Sequence, residues 1–223
     1  MNINEVYNLV LYATAKNASQ GYVSPDDFNL TINQASRSYA SYLLGSFQQY
    51  MPGRPVARVE FGQNTIVRTR LSPMIYWYNL SVNSAGYTPY PGDYLQVDAM
   101  LTYGDYKRIR AVQQDSLYSY VNSVIDPIAE NPVYILQDKG FNFYPENITN
   151  AKLSYVRNPP DMVWGYTLNV NGIPVYNPAT SVQPLWDDAS MLDIIVRCLA
   201  IIGVNLQTNV LEQYAMTIKN QGQ

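Results

Sequence analysis

The chain has 223 residues, with no histidine, one cysteine and 21 tyrosines, and its 14 basic and 17 acidic residues give a formal net charge of -3. Without histidine it lacks the usual general base of neutral-pH catalysis and the commonest metal ligand, and a single cysteine excludes an internal disulfide framework or a multi-cysteine zinc site. Only 14% of residues are charged and 13% are aromatic, which favours a surface covered by a partner over that of a free monomer.

The first segment of the chain predicts a helix. Ile3, Val6, Val10 and Ala13 recur at spacings of three and four residues, so they share one helical face. The N-terminus has neither a basic start nor a continuous apolar run, and we expect no secretory signal peptide.

A second helix has a well-marked start at Ser24, which is suited to cap the helix. Pro25 fits the first helical position, and Asp27 stands three residues after the cap, where a carboxylate complements the helix dipole. We expect the helix to end near Gly45 or to run on to about Tyr50. Its predicted buried face comprises Phe28, Ile32, Ala35, Tyr39 and Leu43.

The stretch from about Val56 to Val175 changes from helical to alternating periodicity and predicts strands. In one of them, Leu95, Val97, Ala99 and Leu101 are expected on one face, with Gln96, Asp98 and Met100 on the other. The segment 112–125 is ambiguous, because its apolar spacing fits a helix while its flanks resemble strands.

Two hairpins are predicted within this stretch. One joins the residues 133–136 to 141–143 through Gln137 to Gly140. The other follows the alternation of Tyr166, Leu168 and Val170, where Asn171-Gly172 favours a type I′ turn and Ile173 to Tyr176 return beside the first strand.

The C-terminal part returns to helix. A helix with Asp187 and Asp188 in its first turn is apolar almost all round, so we expect it to be covered on most sides and to stop at Gly203. Its run from Met191 to Val204 is shorter than the roughly 20 apolar residues that cross a bilayer. A last helix is expected to run to Lys219, and its apolar face comprises Leu211, Tyr214, Ala215 and Ile218.

These elements predict an α+β fold in which N- and C-terminal helices form one bundle and a β-rich insertion, sandwich- or barrel-like, lies between them. The expected boundaries are 1–53 for the first helices, 54–178 for the insertion and 179–223 for the last helices.

No catalytic, metal-binding or cofactor-binding residue is predicted. Cys198 lies in the apolar helix without a histidine to activate it, and we interpret it as a small buried hydrophobe. The acidic pairs Asp26-Asp27 and Asp187-Asp188 sit at predicted helix starts, where capping and dipole roles account for them better than acid–base or metal chemistry.

The residues we single out are aromatic and basic. For the aromatic set we consider packing within the β-rich part, a protein interface and a platform for sugar rings, and we favour an interface for the loop residues. For the arginines a solvated face or a partner contact is favoured over passive contact with packaged DNA. The candidate interface residues are Tyr76, Trp77, Tyr78, Tyr87, Tyr90, Tyr94, Arg54, Arg58, Arg68, Arg70, Tyr214 and Lys219.

Several stretches of the chain resemble virion structural proteins of short-tailed phages that infect Bacteroidetes, including the crAss-like group. They are the opening Val6-Tyr7 helix with 21–29 (GYVSPDDFN), then 131–133 (NPV), 143–145 (FYP) and 153–160 (LSYVRNPP), and finally 193–197 (DIIVR), 202–206 (IGVNL) and 212–214 (EQY).

This resemblance implies a head-to-tail connector, also called an adaptor or tail ring protein, located in the virion. Such proteins assemble as a homo-oligomeric ring below the portal, commonly a dodecamer, and they bind the portal protein and further tail proteins. The resemblance brings no catalytic residue. The function we predict is therefore a non-enzymatic bacteriophage structural protein.

Two alternatives belong to other classes. The tyrosine-rich loop could serve a carbohydrate- or receptor-binding tail module, although the converging acidic or amide groups of a sugar site are not evident. A tail-associated glycosidase would need a carboxylate pair in a cleft loop, and no acidic pair falls in one.

Overall fold

The computed structural model describes residues 1–16, 23–45, 65–120 and 126–205 and shows a mixed α+β fold, as the sequence predicts. The chain forms two compact units, one made of Met1–Pro73 with Pro159–Gln223 and the other of Met74–Asn158. The predicted insertion, 54–178, is longer at both ends than this second unit. The predicted last helix lies outside the described residues.

The first unit is built around three helices: α1 (Ile3–Lys16), α2 (Pro25–Leu44) and α5 (Asp188–Asn205). The predicted start of α2 is confirmed, since the Ser24 side chain accepts a hydrogen bond from the Asp27 N–H at 3.2 Å. Gly45, with a φ of 95°, caps its C-terminus. The whole predicted face of α2 is buried, and α1 and α2 both contact α5.

The predicted stop of α5 at Gly203 is wrong, because the helix continues to Asn205. Gly203 is buried within the helix, where a residue without a side chain allows close packing. The expected burial of α5 holds for Met191, Ile194 and Ile195, whereas Leu192 is exposed. A short helix, α3 (Thr65–Leu71), also belongs to this unit and contacts α2.

Amide side chains of α2 hold the extended segment that precedes the second hairpin. Asn33 accepts a hydrogen bond from the Met162 N–H at 2.7 Å and donates to the Met162 carbonyl at 2.8 Å. One helical turn earlier, Asn29 makes the same pair of bonds with Trp164, at 2.7 and 3.3 Å. The two amides therefore pair with alternate residues of an extended chain, as a neighbouring strand would.

The predicted hairpin after this segment is confirmed as β8 (Tyr166–Leu168) and β9 (Pro174–Tyr176), an antiparallel pair. The predicted type I′ turn is wrong. It requires a positive φ at Asn171, but of the two turn residues only Gly172 has one, at 73°. The Asn169 side chain instead accepts bonds from the N–H groups of Asn171 and Ile173, both at 2.9 Å, and closes the turn.

The second unit contains two sheets. One has the order β1-β7-β3, formed by β1 (Ile75–Ser81), β7 (Asn150–Arg157) and β3 (Tyr94–Thr102), all antiparallel. The other has the order β2-β6-β5-β4, formed by β2 (Tyr87–Pro89), β6 (Gly140–Tyr144), β5 (Val133–Gln137) and β4 (Arg110–Ala111). The predicted hairpin of β5 and β6 is confirmed.

Buried residues of both sheets form one shared core, so each sheet covers a face of the other. This core comprises Leu80, Met100, Ile109, Tyr134, Phe141, Phe143, Ala151, Leu153 and Tyr155. The ambiguous segment after β4 begins as a helix, α4 (Gln114–Tyr120).

The predicted two-residue alternation of β3 is wrong. The register with β7 shifts between Tyr94 and Gln96 and again between Val97 and Ala99. Each shift inserts one residue and reverses the side-chain alternation. As a result Met100 is buried in the core with Val97 packed against it, so residues expected on opposite faces lie on the same one.

Candidate interaction site

Three consecutive aromatic side chains, Tyr76, Trp77 and Tyr78, are exposed on β1, at 51, 48 and 46%. The order of the sheet makes β1 an edge strand, paired only with β7 among the described residues. Successive residues of a strand point to opposite faces, so three exposed residues in a row mean that both faces are open near this end of β1. Large aromatic side chains in that position are typical of an interaction surface.

Among the described residues, no strand pairs with the backbone along the outer edge of β1. The N–H of Val82 donates to the Thr149 carbonyl at 2.9 Å and continues the β1–β7 ladder. Because hydrogen-bonded and outward-facing residues alternate in an antiparallel pair, the backbone groups of Trp77 and Asn79 face away from β7. No register shift interrupts this pairing, and β1 contains neither charge nor proline.

A lysine and two aromatic rings meet on β7 and its neighbours. The Lys152 Nζ lies 5.2 Å from the ring centre of Trp77 and 5.1 Å from that of Tyr106, distances typical of cation–π interactions. Tyr106 has a φ of 54°, in the left-handed region that residues with a side chain rarely adopt. Such a conformation costs about 1–3 kcal/mol and persists where neighbouring contacts hold it.

The other predicted aromatic residues mainly serve packing. The rings of Tyr90 and Tyr94 stack at 4.5 Å, and both meet the buried Phe141 edge-on. The Tyr90 hydroxyl donates to the Gln137 carbonyl at 2.6 Å, and burial raises the pKa of Tyr94 to about 12. Tyr87 is half-buried beside Gly140. The aromatic set therefore divides into an exposed group on β1 and a packed group beside the core.

Arg68 and Arg70 lie on α3 and are half-buried. Arg70 donates to the Asp193 carboxylate at 2.7 Å and to the Tyr39 hydroxyl at 2.9 Å, both within the first unit. Its guanidinium is thus engaged inside the subunit. The predicted interface residues Arg54, Arg58, Tyr214 and Lys219 lie outside the described residues.

Sequence reasoning missed a second exposed surface, on the β8–β9 hairpin. Leu168, Val170, Ile173 and Val175 are all exposed there, Val170 completely. The signal that could have identified it is the absence of any charged residue from Met162 to Trp186. Such a run in a predicted hairpin leaves only apolar and neutral polar groups to face outward. A similar run extends from Leu71 to Gly92 and contains β1.

The residues considered for catalysis are either buried, as Cys198 is, or located at a helix start, as both acidic pairs are. Cys198 is fully buried, donates to the Thr31 hydroxyl at 3.5 Å and has a pKa raised to about 11 by burial. In the first acidic pair, Asp27 accepts a hydrogen bond from the Ser24 hydroxyl at 2.6 Å. In the second, Asp188 is the first residue of α5 and the Asp187 carbonyl accepts a bond from the Met191 N–H at 2.9 Å.

Within the described ranges, no group of three or more acidic or cysteine residues is placed to hold a metal ion, and no helix is long and apolar enough to span a membrane. A shallow cavity of about 310 Å³ lies beside α2 and is lined by Asn29, Leu30, Asn33, Gln34, Arg37 and Asp161. Arg37 and Asp161 pair across it at 2.6 Å, and the two asparagines hold the neighbouring backbone. Four of its lining residues, Asn29, Asn33, Arg37 and Asp161, are thus already paired within the subunit.

Comparison with known protein families and with curated protein sequences finds no match for the chain.

Proposed function

We propose that the protein is a non-enzymatic structural subunit that assembles with copies of itself into a ring and serves as a head-to-tail connector in a phage virion. The observation that carries the assembly part is the exposed run Tyr76 to Tyr78 on an uncharged, unprotected edge strand. An edge of this kind readily pairs with another chain. The virion location, the portal and tail partners and the ring of twelve rest on the sequence resemblance.

The cost of leaving such a surface in water supports assembly. Burying apolar surface contributes about 25 cal/mol per Å², and burying charged groups without partners has a large opposing cost. Because the residues of β1 itself carry no charge, burying their side chains against a partner avoids most of that opposing cost. The low overall charge fits a protein whose surface is covered by partners after assembly.

The proposal is tested by mass photometry and negative-stain imaging of the purified protein, alone and mixed with the portal protein of the same phage. We expect ring-sized particles and a complex with the portal. Trp77→Lys should shift the mass distribution towards monomers, whereas Leu136→Lys, at a similarly exposed position on β5, should not. Persistent monomers that do not bind the portal would contradict the proposal.

A second candidate function, carbohydrate binding, is favoured by the arrangement of Trp77, Lys152 and Tyr106. Two exposed rings with an amine between them offer stacking surfaces and a hydrogen-bond donor for a sugar. A glycan array probed with the wild type, Trp77→Ala and Tyr106→Ala tests it. Binding that both substitutions abolish would support this function, and a blank array would remove it.

A further inference from the structure

Two open strand edges in different parts of the chain have matching chemistry. The first is the outer edge of β1, where the backbone groups of Trp77 and Asn79 face outward. Edge strands are usually protected by charges, prolines or bulges, and β1 has none of these. The opposite edge of the same sheet, β3, contains two register shifts and the charged residue Asp98. Of these two edges, β1 is therefore the one suited to accept a further strand.

The second open edge is that of β8, which pairs only with β9 in the described part of the chain. The Asn169 N–H donates to the Ile173 carbonyl at 3.0 Å, so the next pair along the hairpin, Leu168 and Pro174, turns its backbone groups outward. Pro174 has no N–H to donate, which weakens the outer edge of β9. Leu168 presents both its N–H and its carbonyl on the outer edge of β8, and its side chain is 65% exposed.

Neither edge carries a charged residue, since one lies in the uncharged run Leu71 to Gly92 and the other in the run Met162 to Trp186. Joining them would bury apolar side chains, with Leu168 and Val170 on one side and the β1 aromatics on the other, without burying a charge. Both edges would also gain hydrogen-bond partners for outward-facing backbone groups. Because neither β1 nor β8 itself contains a charged residue, each matches the other in chemistry better than it matches a charged peptide, which favours a second copy of this chain as the partner.

We propose that the β8 edge of one copy adds as a strand to the β1 edge of the next copy. Each subunit then contributes one donor edge and one different acceptor edge, which is a heterologous contact. Repetition of such a contact produces a closed ring when its rotation closes and a filament when it does not. This inference rests on the proposed self-assembly and assigns the surfaces that perform it.

Chemical cross-linking tests the contact directly, because the native Cys198 is buried and leaves engineered cysteines as the reactive ones. Asn79→Cys and Leu168→Cys are prepared as separate proteins, mixed during assembly and treated with a short bismaleimide. We expect a cross-linked dimer only in the mixture. The double variant should give a ladder of dimers, trimers and larger species whose upper limit gives the subunit number. Leu136→Cys replaces Leu168→Cys in the control mixture, which should not cross-link.

The outcomes separate this contact from the wider proposal. Circular dichroism verifies that the variants fold, and Leu168→Lys, at an exposed position, should lower the oligomer fraction at least tenfold. Rings that form without a cross-link between the two edges would overturn the contact and leave the assembly proposal standing. Cross-linking of Asn79→Cys with itself would indicate a two-fold β1–β1 pairing and also overturn it. A wild type that stays monomeric would refute both.

Discussion

Asn33 offers a sharp test of how the first unit is held together. Its side chain makes two hydrogen bonds to the backbone of Met162 and donates a third to the Asn29 carbonyl at 2.8 Å. Met162 is almost completely buried, at 2% exposure. In Asn33→Ala all three bonds are lost, and the N–H and carbonyl of Met162 lose their partners on α2.

The expected loss of stability follows from these groups. A hydrogen bond contributes about 0.5–1.5 kcal/mol net, and a buried polar group left without a partner costs about 1–3 kcal/mol. Asn33 lines the shallow cavity beside α2, so water can reach part of the vacated site and reduce this cost. We therefore expect Asn33→Ala to lower the free energy of unfolding by about 2–4 kcal/mol.

Urea unfolding and hydrogen exchange of the Met162 amide measure the effect. Gln34→Ala is the matched control, because Gln34 is the next residue of α2 and is exposed; its effect should stay within about 0.5 kcal/mol. If Asn33→Ala were equally mild and the Met162 amide exchanged no faster, the claim that α2 side chains hold this segment would be refuted.

Asn33→Asp adds a pH-dependent version of the same test. One carboxylate oxygen can still accept from the Met162 N–H, but the other faces the carbonyl oxygens of Met162 and Asn29. This repulsion raises the pKa of the new carboxyl above its unfolded value of about 3.9. The penalty is therefore absent below about pH 4 and grows as the pH rises towards neutrality. A difference from the wild type that is independent of pH would contradict the geometry.

Three further predictions concern the packed interior. Gly140→Ala should lower the free energy of unfolding by about 1–3 kcal/mol in urea, because the added methyl group overlaps the Thr88 carbonyl oxygen. Gly92→Ala is the control, since its methyl group meets open space, and it should be nearly neutral. Cys198 should react with a thiol reagent at pH 8 only after denaturation, and rapid labelling of the native protein would contradict its burial. Burial raises the pKa of Tyr94 from 10.0 to about 12. The neutral Tyr94 side chain therefore contributes fully to stability below pH 10, and this contribution is lost as the pH rises to 12. Tyr94→Phe should lessen this alkaline loss, as measured by urea unfolding midpoints at a series of pH values.

The sequence predicts best where one local rule determines the structure. The Ser24 cap and the apolar face of α2 need only the helical period and capping chemistry, and both agree with the structure. The hairpin of β5 and β6 follows from two apolar runs that flank a turn. In each case the residues that decide the element are close together in the sequence.

The failures arise where distant residues decide. The shifts in β3 depend on its register with β7, which local alternation does not reveal. Gly203 stays helical because the surroundings of a buried helix outweigh the preference of one residue. In the same way Tyr90 and Tyr94 lie against the core, while Trp77, of similar chemistry, lies on an edge. Composition predicts an aromatic interface but does not identify which aromatic residues are exposed and which are packed.

The asparagine bonds from α2 have a mechanical consequence for the hairpin that follows them. They fix the chain at Trp164, and Gly165 fits so tightly against Thr180 that a methyl group has no room. The hairpin is therefore fixed at its base, while its tip at Val170 is fully exposed. Substitutions at the base are expected to change the direction of the hairpin, and substitutions at the tip to change only the chemistry of its exposed surface. The direction of the hairpin and the chemistry of its surface can consequently vary independently of each other.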